Sequence, residues 1–167
     1  REVESGTELS LEEAAFLLER GKIEVLANDK SLSFEKYFES ASKISKKFAQ
    51  RYLVYKNLRE RGYFIQPGAV DFRLYPRGAK PGEKASEAFV WVVSEREPLS
   101  LSEMIKTLTA AANVRKELIL ATVDEESDVT FYEAKEAVLP KAEKASPGRG
   151  SATLIDDRVI VWDSKTA

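Results

Sequence analysis

Apolar residues recur at helical spacing through the first third of the chain, and at strand spacing through much of the remainder. Ser10 followed by Glu13 forms a capping box ahead of Leu11 to Arg20, and Gly21 supplies the stop, which predicts a short amphipathic helix. Lys22 to Leu26 alternates like a strand. Ser33 is placed to cap a second short helix through about Ser40. From there Ile44, Phe48, Tyr52, Tyr55 and Leu58 keep a three- to four-residue spacing until Gly62, predicting a long helix with one buried stripe. Strands are expected at Tyr63 to Gln66, Val70 to Leu74 and Ala88 to Val93, between turns marked by Gly and Pro. Ser100 and Glu103 make a second capping box, opening a helix whose expected buried face is Leu101, Met104, Ile105, Leu108 and Ala112. Leu118 to Val123 reads as a central strand, and the acidic turn Asp124 to Asp128 leads into another at Val129 to Glu133. Residues 135–150, with Pro140, Pro147 and Gly148, read as a connector, and residues 152–163 as a hairpin turning at Asp156-Asp157. The sum is a mixed α/β (α+β) chain. A small helix-rich N-terminal domain is expected over residues 1–44, and a mixed β-sheet domain flanked by helices over 45–167.

Composition narrows the chemistry. With 167 residues and 43% hydrophobic content, the chain can bury a real core. Its longest apolar runs fall far short of the roughly 20 residues that span a bilayer, and its start lacks a signal-peptide pattern, so no membrane partner and a cytoplasmic protein are expected. There is no cysteine and no histidine. Disulfides and thiolate metal sites are excluded, as are the commonest general base and metal ligand; no metal and no cofactor are expected. Net charge is −2, from 26 Lys+Arg against 28 Asp+Glu. That dense mixture of signs suits a thermophile. It also means that any nucleic-acid site must come from local clustering.

Several blocks in register carry a resemblance. Tyr52-Leu-Val-Tyr-Lys-Asn-Leu-Arg-Glu-Arg-Gly-Tyr63 followed by Val70-Asp-Phe-Arg-Leu-Tyr75 resembles the opening of the tRNA-intron endonuclease catalytic domain of archaea. Pro81-Gly-Glu-Lys-Ala-Ser86 and Ala112-Asn-Val-Arg-Lys116 match two further blocks in the same order, and Leu9 to Val25 is similar to the family's N-terminal domain. The resemblance implies a nuclease-type sheet and a metal-free cut of precursor tRNA at a bulge-helix-bulge, leaving a 2′,3′-cyclic phosphate and a 5′-hydroxyl. A base must take the 2′-OH proton, an acid must protonate the departing oxygen, and a cation must offset charge on the phosphorane. The family gives these tasks to a tyrosine, a histidine and a lysine. By resemblance the tyrosine is Tyr75 and the lysine Lys116, while the histidine position holds Ala85.

Residue by residue, plainer readings stand beside the functional ones. A tyrosine closing a strand is usually an edge-of-core residue, and Lys116 beside Arg115 could be a solvated pair; the aligned blocks favour catalysis for Tyr75 and Lys116. Tyr52, Tyr55, Tyr63 and Tyr132 are expected to be packing residues. Ala85 admits two accounts, a naturally non-catalytic structural subunit or a working subunit whose histidine has been replaced. Retention of Tyr75 and Lys116 favours the second. For RNA contacts the candidates are Lys43, Lys46 and Lys47, with Lys80 and Lys84 in the loop near the site, and Arg115.

The acidic turn Asp124, Glu125, Glu126, Asp128 is ordinarily a solvated hairpin tip, but the resemblance implies that it inserts into a groove of another subunit. Partners implied are precursor tRNA and either a second subunit in a heterotetramer or copies of the chain in a homotetramer. A single-unit length is expected to exclude a tandem homodimer form. Thr109 stands where family members often place a base-clamping arginine, so the resemblance puts that clamp on other residues or a partner. The short N-terminal unit and missing clamp arginine lean towards a heterotetramer. A metal-dependent nuclease would need Asp71 with Glu133-Ala-Lys135, a weaker match, and a non-enzymatic scaffold is a third reading.

Overall fold

The computed structural model describes residues 2–3, 6–137, 151–155 and 158–162. The chain divides into a large unit, residues 1–136, and a small one, residues 137–167. Two short strands, β1 (Glu2–Val3) and β2 (Gly6–Thr7), pair at the start of the large unit. Helix α1 (Leu11–Glu19) begins at the expected capping box, with Glu13 N–H donating to Ser10 Oγ at 3.2 Å and Ser10 N–H to Glu13 Oε2 at 2.8 Å. The strand expected at Lys22 to Leu26 is reduced to β3 (Leu26–Ala27), which pairs with β4 (Lys30–Ser31) in a small hairpin. Leu26 is exposed there, while Val25 packs against the core from outside any strand, so the alternation reports burial without a sheet.

Helix α2 (Phe34–Ile44) starts at Ser33 as expected but runs four residues past Ser40, and the long helix is α3 (Phe48–Glu60). Extended Ser45 separates the two, so Ile44 belongs to the end of α2, is 74% exposed, and drops out of the buried stripe. The rest of that stripe holds: Phe48, Tyr52, Tyr55 and Leu58 are buried.

Five strands form one sheet in chain order: β5 (Ile65–Pro67), β6 (Phe72–Leu74), β7 (Ala88–Ser94), β8 (Glu117–Val123) and β9 (Val129–Ala134). All pairings are antiparallel except β7–β8, which the crossover helix α4 (Leu101–Asn113) makes parallel. In the small unit, β10 (Ser151–Ile155) pairs antiparallel with β11 (Arg158–Trp162), the hairpin that the sequence predicts. The turn at Asp156-Asp157 and the connector over 138–150 lie outside the described residues.

Alternation along the strands gives the sheet two faces. One presents Ile65, Phe72, Leu74, Val90, Val92, Ala121 and Val123 to α3, in a core that also takes in Ala15 and Phe16 of α1 and Tyr37 and Ala41 of α2. The first three helices and the sheet therefore share one core. Arg51 of α3 ties them with charge: its Nε meets Glu12 Oε1 at 2.6 Å, its Nη1 meets Asp71 Oδ1 at 2.9 Å, and its guanidinium lies 4.8 Å from the Phe72 ring centroid. Asp71 Oδ2 also accepts the Val92 N–H at 2.8 Å, so both buried carboxylates are satisfied.

The other face carries Phe89, Trp91 and Leu118 under α4, with Met104, Leu108 and Ala111 as the helix's contact side. Leu101 and Ile105, expected on that side, are 67% and 55% exposed, and Ala112 is exposed too. The apolar stripe of α4 is wider than the strip of sheet it covers.

Candidate active site

The site forms where α4 stops covering its face. The register Gln66↔Arg73↔Phe89↔Leu118 runs across β5 to β8, and only its β7–β8 part lies under the helix. On the β5–β6 side the face opens into a cleft of about 520 Å³, lined by Arg73, Tyr75, Lys84, Ala85, Phe89 and Lys116 among others. Three positions that the sequence singles out for catalysis, Tyr75, Ala85 and Lys116, thus line one cleft, although 41 residues of sequence separate the first from the last.

Tyr75 stands two residues beyond Arg73 on the same face. Its N–H donates to the Phe64 carbonyl at 3.0 Å, extending the β5–β6 ladder one step past the strand. The ring is buried at 7% exposure, and the hydroxyl donates to Gln66 Oε1 at 3.0 Å. That bond leaves the oxygen's lone pairs free to face the cleft. The loop from Pro76 to Glu87 turns at Gly78 and Gly82, both at positive φ, which glycine adopts without strain. It returns through Ala85, which is exposed, and the Glu87 N–H donates to the Leu74 carbonyl at 2.9 Å to start β7.

Lys116 is placed by the end of α4. Arg115 takes a left-handed conformation with φ of 55°, and the Lys116 N–H returns to the Ala111 carbonyl at 3.0 Å, a helix stop of the kind glycine usually provides. The turn aims Lys116 into the cleft, where Nζ donates to the Ser86 carbonyl and lies 6.0 Å from the Phe89 ring centroid. Arg115 is exposed and is not among the lining residues.

The other candidates fall in different places. Lys84 lines the cleft. Lys43 is paired with Glu39 at 2.6 Å and Lys47 with Glu97 at 3.6 Å, and neither these nor Lys46 lines it. Thr109 lies on α4 with its hydroxyl turned back onto the Ile105 carbonyl at 2.8 Å. Asp71 is held by Arg51 and Val92 rather than by the cleft, and Glu133 pairs with Lys135 at 3.4 Å. Among the described residues no group of three or more potential ligand side chains converges to hold a metal ion.

The acidic turn closes the β8–β9 hairpin at the far end of β8 from Lys116, seven strand residues or about 20 Å away. Asp124 builds the turn itself, its Oδ1 accepting from the N–H groups of Glu126 at 2.9 Å and Asp128 at 2.8 Å. Glu125 pairs with Arg96 at 2.7 Å, while Glu126 and Asp128 project into solvent.

Of the tyrosines expected to pack, Tyr52 and Tyr55 are buried, whereas Tyr132 is 56% exposed on the edge strand β9. Burial, with the Glu19 carboxylate at its hydroxyl, pushes the Tyr52 phenol well above its ordinary value, and burial pushes Tyr55 up to about 12. Both are fixed as neutral donors or fillers, in line with the packing role that their spacing predicts. Sequence reasoning does not single out Gln66, Arg73 or Phe89 for the site. A signal for Arg73 is present in Phe72-Arg73-Leu74, where an arginine alternates with two core residues and must face away from them.

Comparison with known proteins gives matching results. The catalytic C-terminal domain of tRNA intron endonuclease matches residues 48–131, and the N-terminal domain of tRNA intron endonuclease matches residues 1–38. The chain is 49% identical over 170 aligned residues to a tRNA-splicing endonuclease from Methanosarcina mazei, covering 100% of this chain and 48% of that protein. A tRNA-splicing endonuclease from Thermococcus onnurineus is 43% identical over 127 residues, which cover 74% of this chain and 72% of that protein. The chain spans about half the length of the Methanosarcina relatives it matches, so its length no longer argues against a tandem form.

Proposed function

The chain belongs to the tRNA intron endonuclease family, and from that premise we propose that its cleft is an RNA-cutting site acting by in-line 2′-OH attack without a metal. The observation that carries this reading is the convergence of Tyr75, Ala85 and Lys116 on one open, cationic cleft. Tyr75, whose phenol oxygen is positioned by Gln66, acts from its phenolate form: the phenol proton leaves to solvent first, and the phenolate oxygen then takes the 2′-OH proton. Lys116 offsets the charge that builds on the phosphorane oxygens. The proton owed to the departing 5′-oxygen has no donor at Ala85, a methyl side chain on the cleft wall. The substrate is a bulge-helix-bulge precursor tRNA, and the products are a 2′,3′-cyclic phosphate and a 5′-hydroxyl.

Loss of the general acid lowers the rate by roughly 10² to 10⁴ fold, and leaves RNA binding largely intact. The test is Ala85→His, assayed on a bulge-helix-bulge RNA with and without a second subunit. A gain of that size supports the catalytic reading. Continued inactivity in both conditions supports the other account of Ala85, a naturally non-catalytic structural subunit.

Assembly rests on the acidic turn, which lies at the opposite end of β8 from the cleft and so can engage another subunit without obstructing RNA. Because Asp124 is consumed in shaping the turn, its reversal would confound folding with contact. Reversal of Glu126 and Asp128 to lysine leaves the Asp124 bonds to their backbone N–H groups in place. The expected outcome is a smaller native mass, with the partner that restores it distinguishing a heterotetramer from a homotetramer; an unchanged mass would remove the turn from the interface.

A further inference from the structure

The cleft holds a cation that the three-residue catalytic reading does not use. Its lining includes Arg73, Lys84 and Lys116 and no acidic residue. Arg73 forms no ion pair with any described residue, although it sits in the middle of the three-residue strand β6. Its place is specified by the neighbouring turn. A methyl group at Gly68 would stand 2.9 Å from Arg73 Cγ, and 3.1 Å from both Arg73 N and the Phe72 carbonyl carbon. Glycine at that position is therefore what lets the arginine stem lie across the turn. Glu13, which borders the groove on the other side of Arg73, is committed to capping α1 through Ser10. Arg73 thus lines the same cleft as Tyr75, with no ion pair to a carboxylate among the described residues.

We propose that Arg73 binds the RNA phosphate next to the one that Lys116 faces, fixing the strand across Tyr75. The inference rests on reading the cleft as an RNA-cutting site. Arg73 on β6 and the start of β8 are two strand spacings apart, about 10 Å, with Phe89 of β7 between them. Lys116 is drawn toward the Ser86 carbonyl at the head of β7. A chain crossing the cleft therefore meets the two cations in turn. An arginine fork can grip two oxygens of one phosphate, which a lysine cannot, so it fixes direction as well as charge.

The experiment measures binding of a labelled bulge-helix-bulge RNA to the full chain over roughly 50 to 200 mM salt, which needs no catalysis. Arg73→Gln should weaken binding about tenfold and reduce the slope of log affinity against log salt by about one phosphate contact. Arg73→Lys should keep the slope and lose part of the affinity, and Lys30→Gln in the β3–β4 hairpin should change neither. If Arg73→Gln binds like the parent while Lys84→Gln does not, the RNA-cleft reading stands and the role of Arg73 falls. If Arg73→Gln fails to fold, Arg73→Lys decides: parent-like affinity overturns the bidentate grip, and reduced affinity with an unchanged slope supports it. No RNA binding by the parent chain would overturn both this inference and the function it rests on.

Discussion

The two faces of the central sheet are built from the same strands and do opposite things. Toward α3, the strand positions are filled by apolar side chains, aromatic rings interlock from Phe34 through Phe38, Phe48 and Tyr52, and the buried charged cluster around Arg51 is fully paired. Toward α4 the covering ends partway, and the uncovered part carries arginine, tyrosine and lysine. Adjacent residues of one strand belong to different faces: Leu74 packs in the core and Arg73 lines the cleft. Rigid packing on one side thus fixes the geometry of the groups on the other. The face that stabilises the molecule is not the face that carries the proposed site, and substitutions on each should separate stability from activity.

The largest effect is expected from Arg51. Arg51→Ala removes the ion-pair partner of two buried carboxylates, Glu12 and Asp71, and should cost about 3–5 kcal/mol of stability. Thermal or urea unfolding of the variant checks this. Because the residue lies behind the sheet, RNA affinity of the folded fraction should stay near the parent value. A loss of affinity without a loss of stability would mean that the two faces are not separable.

A smaller effect on the open face sharpens the same contrast. In the Ala85→His background, Gln66→Leu frees the Tyr75 hydroxyl from its side-chain acceptor while leaving the ring packed. The turnover number should fall about tenfold with KM little changed, as expected when a reacting group is positioned less well. The melting temperature should hardly move. A change confined to KM would assign Gln66 to binding instead.

Much of the closed face is legible in the sequence, because periodicity reports burial directly. The stripe of Phe48, Tyr52, Tyr55 and Leu58 needs no information beyond spacing, and the continuous run Leu118 to Val123 reads as a central strand with apolar residues on both faces. Where periodicity misleads, the spacing is satisfied for another reason. Ile44 continues the three- to four-residue spacing but lies before a break at Ser45, since periodicity does not register a change of direction between two helices. Lys22 to Leu26 alternates without a sheet to join. On α4 the apolar positions exceed the area beneath them, and which ones pack is a tertiary decision. The proposed catalytic positions are readable through blocks that resemble the family's, each of them local. Gln66 and Arg73 are not, because their meaning comes from cross-strand register, which pairs Gln66 with Arg73 and Arg73 with Phe89.

The smallest effect lies at the outer margin of the closed face, where Glu19 of α1 meets Tyr52 at 2.7 Å and Lys56 at 2.6 Å. Burial pushes the Glu19 carboxyl up, but the bonds from Lys56 and Tyr52 outweigh it and hold the group below the ordinary glutamate range. The sign comes from linkage. A folded-state value below the unfolded one stabilises the protein above the unfolded value of about 4.3, and that contribution is lost as pH falls through the folded value. Tyr52 works in the opposite sense. Its raised phenol favours the folded state below its unfolded value of about 10, and this is lost as pH climbs above it. Glu19→Gln should therefore reduce stability by less than about 1 kcal/mol at neutral pH, given that both Glu19 and Lys56 are near 30% exposed. The difference from the parent should shrink in acid, below pH ~4. Unfolding curves collected across pH test this, and a difference that persists unchanged at low pH would place the contribution of Glu19 in packing rather than in its charge.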